Sequence, residues 1–175
     1  MSTHPFDPFG LPYPKLEQQV LAMGGAPVHA MRWFRSLHRQ GNADPALVFE
    51  LGRALSARIE ETVEPRLPTL EECQHSKDGT AKLRLRMTDG AQVESVLIPD
   101  GPRLTLCVSS QAGCGVGCRF CATGTMGLTR NLSAGEIVGQ LIAARGVAVE
   151  AGLGRVTNVV FMGMDDPGDS TKLMS

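Results

Sequence analysis

The sequence predicts an α/β protein: a small module of helices and antiparallel strands, followed by the first βαβ part of a parallel sheet. Three observations carry this reading. Apolar residues recur at helical spacing as far as Val63, where Pro65 and Pro68 interrupt the pattern. Alternation of period two then takes over at Lys82 to Met87, between two Asp-Gly turn signals. Beyond Arg103 the order is strand, long loop, capped helix, strand, one βαβ unit, which implies a parallel sheet.

Each element has its own signal. Met1 to Pro14 is rich in proline and polar residues and reads as a loose leader, with a short helix expected over Lys15 to Met23 before Gly24-Gly25. Pro27 suits a first helical turn, where its missing N–H costs nothing. Met31, Phe34 and Leu37 then recur on one face of a helix over Val28 to Gln40, with Trp33 near them. Asp44-Pro45 is a further helix start, opening Ala46 to Leu51. Ser56 is expected to cap a helix running toward Val63. In the strand at Lys82 to Met87, Leu83, Leu85 and Met87 share one side, while Arg84 and Arg86 take the other. Gln92 to Ile98 follows Asp89-Gly90 as its partner. Arg103 to Val108 reads as a buried strand, and Ser109 to Arg130 as a long loop rich in glycine and cysteine. Ser133 and Glu136 form a capping box for a helix whose Ile137, Val138, Leu141 and Ile142 face a sheet. Val156 to Met162 is the last strand. The expected segments are a leader over 1–23, a helix-then-meander module over 24–102, and the βαβ portion over 103–175.

Composition narrows the class. The chain has 175 residues, of which 42% are hydrophobic and 20% charged, the profile of a globular domain. No apolar run approaches the roughly 18–20 residues needed to span a bilayer. The N-terminus lacks the basic and apolar regions of a secretory signal. The expected compartment is therefore the cytoplasm, with no membrane contact. A formal net charge of −1 does not mark a nucleic-acid binder, although local patches still matter. Arg32, Arg35 and Arg39 fall near one helical face with His29 and His38 adjacent, and Arg119 and Arg130 flank the glycine-rich loop. These are phosphate candidates, or simply a solvated surface.

Five cysteines are present, an odd count that suits metal or catalysis in a reducing compartment better than disulfides. Cys114, Cys118 and Cys121 form a C-x3-C-x2-C cluster with Gly113, Gly115 and Gly117 between and beside them. Thiolates are soft ligands suited to iron–sulfur clusters or zinc. A structural zinc site usually takes four ligands, and an electron carrier wants a fourth cysteine nearby. Three ligands leave one iron open to a substrate. Zinc and simple electron transfer stay as alternatives on spacing alone.

The C-x3-C-x2-C loop directly after a first strand, with Phe120 before the last cysteine, resembles the radical S-adenosylmethionine (SAM) superfamily. The wider sequence is similar to the bacterial RNA adenine-C2 methyltransferase family. The runs that carry this are Val93-Glu94-Ser95-Val96-Leu97-Ile98-Pro99, Leu106-Cys107-Val108-Ser109-Ser110-Gln111-Ala112-Gly113-Cys114, Phe120-Cys121-Ala122-Thr123-Gly124, Arg130-Asn131-Leu132, Glu136-Ile137 and Thr157-Asn158-Val159-Val160-Phe161-Met162-Gly163-Met164. The relative that methylates adenine C8 shares the cysteine pattern.

The resemblance implies a partial TIM barrel of the radical-SAM type, preceded by an RNA-positioning module. It implies a [4Fe-4S] cluster on Cys114, Cys118 and Cys121, with S-adenosyl-L-methionine on its open iron and Phe120 near the adenine. Family chemistry methylates a distant cysteine with one SAM and makes a radical from a second. Adenine C2 is then joined to the protein through the methyl carbon. Cys107 would resolve that crosslink as a thiolate, and Glu94 would accept the C2 proton, for which burial must raise its pKa. Read without the resemblance, Cys107 is a small buried residue at a strand end and Glu94 an exposed strand glutamate. The implied partners are RNA (23S rRNA and tRNA) and an electron donor such as flavodoxin.

The sequence departs from the family after Met164. Asp165, Asp166 and Pro167 stand where Gly-Glu-Pro is expected, the glycine and glutamate of which help hold the cofactor's amino group. Fewer residues follow Cys107 than the roughly 200 of a full (β/α)8 barrel. The methyl-carrying cysteine has no counterpart. The chain alone is therefore expected to be incomplete and inactive, a non-catalytic RNA-binding or iron–sulfur fragment being the further alternative.

Overall fold

A computed structural model describes residues 5–162. The chain divides into two compact units, Met1–Arg66 and Leu67–Ser175.

The first unit is helical. Helix α1 spans Tyr13–Ala22 and buries Leu16 and Val20. Helix α2 spans Pro27–Arg35 and passes into a π-helical turn over Ser36–Gln40. Its buried residues include Trp33 and, from the π turn, Leu37. Asp44 caps a single 3-10 turn over Pro45–Leu47 by accepting from the Ala46 N–H at 2.8 Å. Helix α3 spans Arg53–Thr62. Its N-cap is Gly52, so Ser56 lies inside it instead of capping it. The Ser56 hydroxyl is buried and donates to the Pro45 carbonyl at 3.2 Å. The N-terminal segment also differs from a loose leader. Asp7 caps a 3-10 turn over Pro8–Gly10 and Phe9 is buried, while the expected helix buries Leu16 and Val20, apolar residues four apart on its inner face.

The second unit is a five-stranded sheet in the order β1-β2-β3-β4-β7, with a helix on one face. Its strands are β1 (Thr69–His75), β2 (Ala81–Arg86), β3 (Gln92–Asp100), β4 (Arg103–Val108) and, after the loop region, β7 (Asn158–Phe161). The first four are antiparallel neighbours, whereas β4 and β7 run parallel. Helix α5 (Ala134–Glu150) makes the crossover between them. The expected βαβ unit is therefore present. The meander, however, does not stand apart from it. Asp100 pairs with Arg103 across a tight turn, so residues 67–102 and 103–161 share one sheet. The boundary between compact units lies at Arg66/Leu67 and not at residue 102.

The sheet's two faces follow the alternation. Leu83, Leu85, Val93, Leu97, Leu104, Leu106 and Val108 form a buried core with Ala144, Val147 and Ala148 of α5. Ile137 and Leu141 pack against this core only partly buried. The large aliphatics expected to face the sheet thus flank a contact made mostly by small residues. The Ser133–Glu136 capping box is formed: Ser133 Oγ accepts from Glu136 N and Glu136 Oε2 from Ser133 N at 2.8 Å.

Both Asp-Gly hairpins form, each aspartate accepting from the N–H two residues on. Gly90 has φ +89° with open space where a Cβ would sit. Gly90→Ala is therefore expected to destabilise through backbone strain alone, by about 1 kcal/mol. Urea unfolding measures it. No helix among the described residues is long and apolar enough to cross a membrane.

Candidate functional site

The end of β4 organises the site. Leu104, Leu106 and Val108 point to the core, so Thr105 and Cys107 face the other side of the sheet. Cys107 pairs with Val96 on β3. Glu94, two residues along the same strand, lies on the same face as a diagonal neighbour, about 7–8 Å away by Cα. The fold thus brings Cys107 and Glu94 together.

Their environments differ. Cys107 is 8% exposed. Burial pushes its thiol pKa up, partly offset by the Met162 backbone N–H. Cys107 therefore rests protonated at neutral pH. The Glu94 carboxylate is 43% exposed and pairs with Lys82 Nζ at 2.8 Å. The desolvation expected around this base is not found among the described residues. Half-exposed pairs contribute little. Lys82→Met is accordingly expected to change stability by less than about 1 kcal/mol, a shift that thermal unfolding can bound.

The loop after β4 has more order than expected. Gln111–Gly113 (β5) pairs with Leu128–Asn131 (β6), and a five-residue helix, α4 (Ala122–Met126), sits between them. Gly113 has φ +76°, and a Cβ there would collide with the Gly127 carbonyl oxygen. That carbonyl accepts from the Cys114 N–H at 3.0 Å, fixing where the cysteine loop begins.

Cys114, Cys118 and Cys121 are partly buried, and none of the five cysteines forms a disulfide. Cys121 precedes α4. The Gly124 and Thr123 backbone N–H groups hold its thiol pKa below the usual value, which favours a thiolate. The Cys121 N–H in turn bonds the Cys118 carbonyl at 3.1 Å. Among the described residues, no three His, Cys, Asp or Glu side chains stand close enough to hold a metal ion. The three thiols share one loop without converging on a point. As a donor set they still fit a thiolate-ligated cluster: three soft ligands, partly accessible, one with its thiol pKa lowered by backbone N–H groups. Phe120 is 93% exposed beside them. Asp165 and Asp166 lie outside the described residues.

The proposed phosphate contacts need correction. Arg130 is held by Glu136 through two hydrogen bonds, at 2.7 and 2.9 Å, and by Asp89 at 2.7 Å. These carboxylate partners occupy the guanidinium that the sequence offered as a phosphate candidate. Arg32 pairs with Glu50 and lies 5.8 Å from the Phe49 ring centroid, while His29 Nδ1 caps α2 by accepting from the Ala26 N–H. Arg35, Arg39 and Arg119 are exposed.

Two features went unread in the sequence. One is the Asp89–Arg130–Glu136 network. The other is Gln140, fully buried and bonded to Ser95 and Ser109. Its signal was available: a polar residue four positions after Glu136, on the same helix face in an otherwise apolar run.

Comparison with known proteins places this arrangement in a class. A solved radical SAM methyltransferase from Sphaerobacter thermophilus matches it with a TM-score of 0.84 and 39% identity, covering 97% of this chain and 50% of that one. The fold described above, including the β4–loop–α5–β7 unit, is thus shared with the corresponding half of that structure. No family model matches. Among curated proteins, the dual-specificity RNA methyltransferase RlmN of Anaeromyxobacter dehalogenans is 46% identical over 163 residues, 90% of this chain and 43% of the relative. That of Anaeromyxobacter sp. Fw109-5 is 48% identical over the same coverage, and that of Solidesulfovibrio magneticus 40% identical over 159 residues. The chain is similar to these RlmN proteins along 90% of its own length and spans under half of theirs.

Proposed function

We propose that this chain carries the cluster-binding part of a radical SAM methyltransferase that acts on C2 of adenine in 23S rRNA and tRNA. The observation that carries the reading is the cysteine loop leaving the same strand that sets Cys107 beside Glu94 on one sheet face. Cys114, Cys118 and Cys121 would hold a [4Fe-4S] cluster within the opening part of a partial TIM barrel. When bound, it supplies the electron that cleaves the sulfonium of S-adenosyl-L-methionine at its open iron. Phe120 offers an exposed ring for the cofactor's adenine, and Asp165 and Asp166 offer carboxylates for its amino group.

Cys107 is the thiol that resolves the protein–RNA crosslink, and burial requires that it lose its proton before attack. Glu94 is the carboxylate that accepts the C2 proton. It is 43% exposed and paired with Lys82, so RNA bound on this sheet face would have to cover it and displace that partner. Arg35 and Arg39 are left as phosphate contacts of the helical unit. An electron donor such as flavodoxin and a cytoplasmic setting complete the reading.

The test is anaerobic reconstitution with iron and sulfide, followed by electron paramagnetic resonance before and after S-adenosyl-L-methionine is added. A changed cluster signal is expected. An unchanged one argues against an open iron and for a closed redox site. RNA binding that persists with all three cysteines replaced by alanine, without any cluster signal in the unaltered chain, would leave only a binding role.

A further inference from the structure

Helix α5 carries a carboxamide where its sheet-facing side could carry an aliphatic residue. Gln140 is fully buried. Its Oε1 accepts from the Ser109 N–H at 2.9 Å and from Ser95 Oγ at 2.8 Å. Its Nε2 donates to the Ser109 carbonyl at 2.8 Å. One side chain therefore engages both backbone groups of a single residue. The Ser109 hydroxyl donates in turn to the Glu94 carbonyl at 2.8 Å.

The place held is specific. Ser109 lies two residues after Cys107 and five before Cys114. It is the point where the chain leaves β4 for the cysteine loop, and its backbone groups need partners once the ladder ends. A leucine could fill the helix–sheet contact without the desolvation that a buried amide incurs. What the amide adds is a single arrangement: a satisfied buried network specifies geometry more sharply than apolar packing does.

We propose that Gln140 is a positioning residue: through Ser109 it keeps Cys107 and Glu94 in register on one sheet face and sets the departure of the cysteine loop. The inference rests on the reading of Cys107 and Glu94 as reacting groups, but its test does not require a cluster or RNA.

The full chain is compared with Gln140→Met, which removes every bond of the amide, and Gln140→Glu, which keeps the shape and loses the donor to the Ser109 carbonyl. Ser95→Ala is the control, losing one bond at the same amide while leaving the grip on Ser109. Urea unfolding gives stability, and peptide mass spectrometry follows iodoacetamide alkylation of Cys107. Gln140→Met is expected to raise the Cys107 rate about tenfold, as local opening at Ser109 exposes the thiol, and Gln140→Glu to raise it less. Ser95→Ala should stay within about twofold. An unchanged rate in both Gln140 variants overturns the proposal. So does a rate that tracks lost stability equally in Ser95→Ala, or unfolding of both Gln140 variants, because either makes Gln140 an ordinary core residue. If the unaltered chain takes up no cluster while Cys107 responds as expected, the functional reading falls and the positioning role stands.

Discussion

Cys118→Ala is expected to abolish cluster uptake, with iron and sulfide bound per chain falling at least about tenfold after anaerobic reconstitution. The same holds for Cys114→Ala and Cys121→Ala. On the proposed reading each thiolate would hold one corner of a cluster, and two remaining ligands would leave two irons open. Cys118 is the most informative of the three. Its carbonyl accepts from the Cys121 N–H, so its backbone contribution to the loop survives loss of the sulfur. Loss of uptake would then report ligation and not loop collapse. Cys107→Ala and Cys73→Ala supply the contrast. Cys107 faces the sheet surface beside Val96, and Cys73 sits on β1, so both variants should retain the uptake of the unaltered chain. Equal uptake by Cys118→Ala would remove the loop from the metal chemistry altogether.

What the sequence disclosed and what it withheld have physical causes. Strand β2 was legible because one of its faces is buried and the other wet, which writes a period of two into Leu83 and Leu85. The capping box at Ser133 was legible because its partners are three residues apart. The β5–β6 pair was not, since its strands sit in a glycine-rich stretch without alternation and meet only through tertiary folding. The segment boundary expected at residue 102 falls inside a tight turn, because glycine and proline mark segment ends and hairpins alike. Pairing of Asp100 with Arg103 decides for the hairpin. At the site, the cysteine spacing was local and readable, whereas the Cys107–Glu94 neighbourhood depends on the register of two strands. The partners of Arg130 were hidden for a similar reason. A basic residue next to a metal loop suggests phosphate, and only the fold shows that Glu136 and Asp89 already neutralise it.

That neutralisation has a measurable consequence. Glu136→Ala is expected to destabilise the chain by about 2–3 kcal/mol. Two losses combine. The Ser133 N–H loses its capping acceptor, and the Arg130 side chain, 30% exposed, loses the partner that is 9% exposed. Asp89 remains, which limits the effect. Acid should produce a related loss in the unaltered chain. Burial alone would push the Glu136 pKa up, but the hydrogen bonds and charge of Arg130, with the Ser133 bonds, outweigh it and hold the carboxyl below its ordinary value. The Asp89 pKa is held at about 2, first by its hydrogen bond to Arg130. A carboxylate whose pKa is depressed by folding stabilises the native state above its unfolded pKa, and that contribution fades as pH falls through the folded value. Stability should therefore hold above roughly pH 4–5 and decline toward pH 2. Arg130→Met should flatten this acid limb, because it removes the cation that depresses both groups. Urea midpoints measured from pH 6 to pH 2 test it, and an acid limb equally steep in Arg130→Met would show that other carboxylates carry the loss.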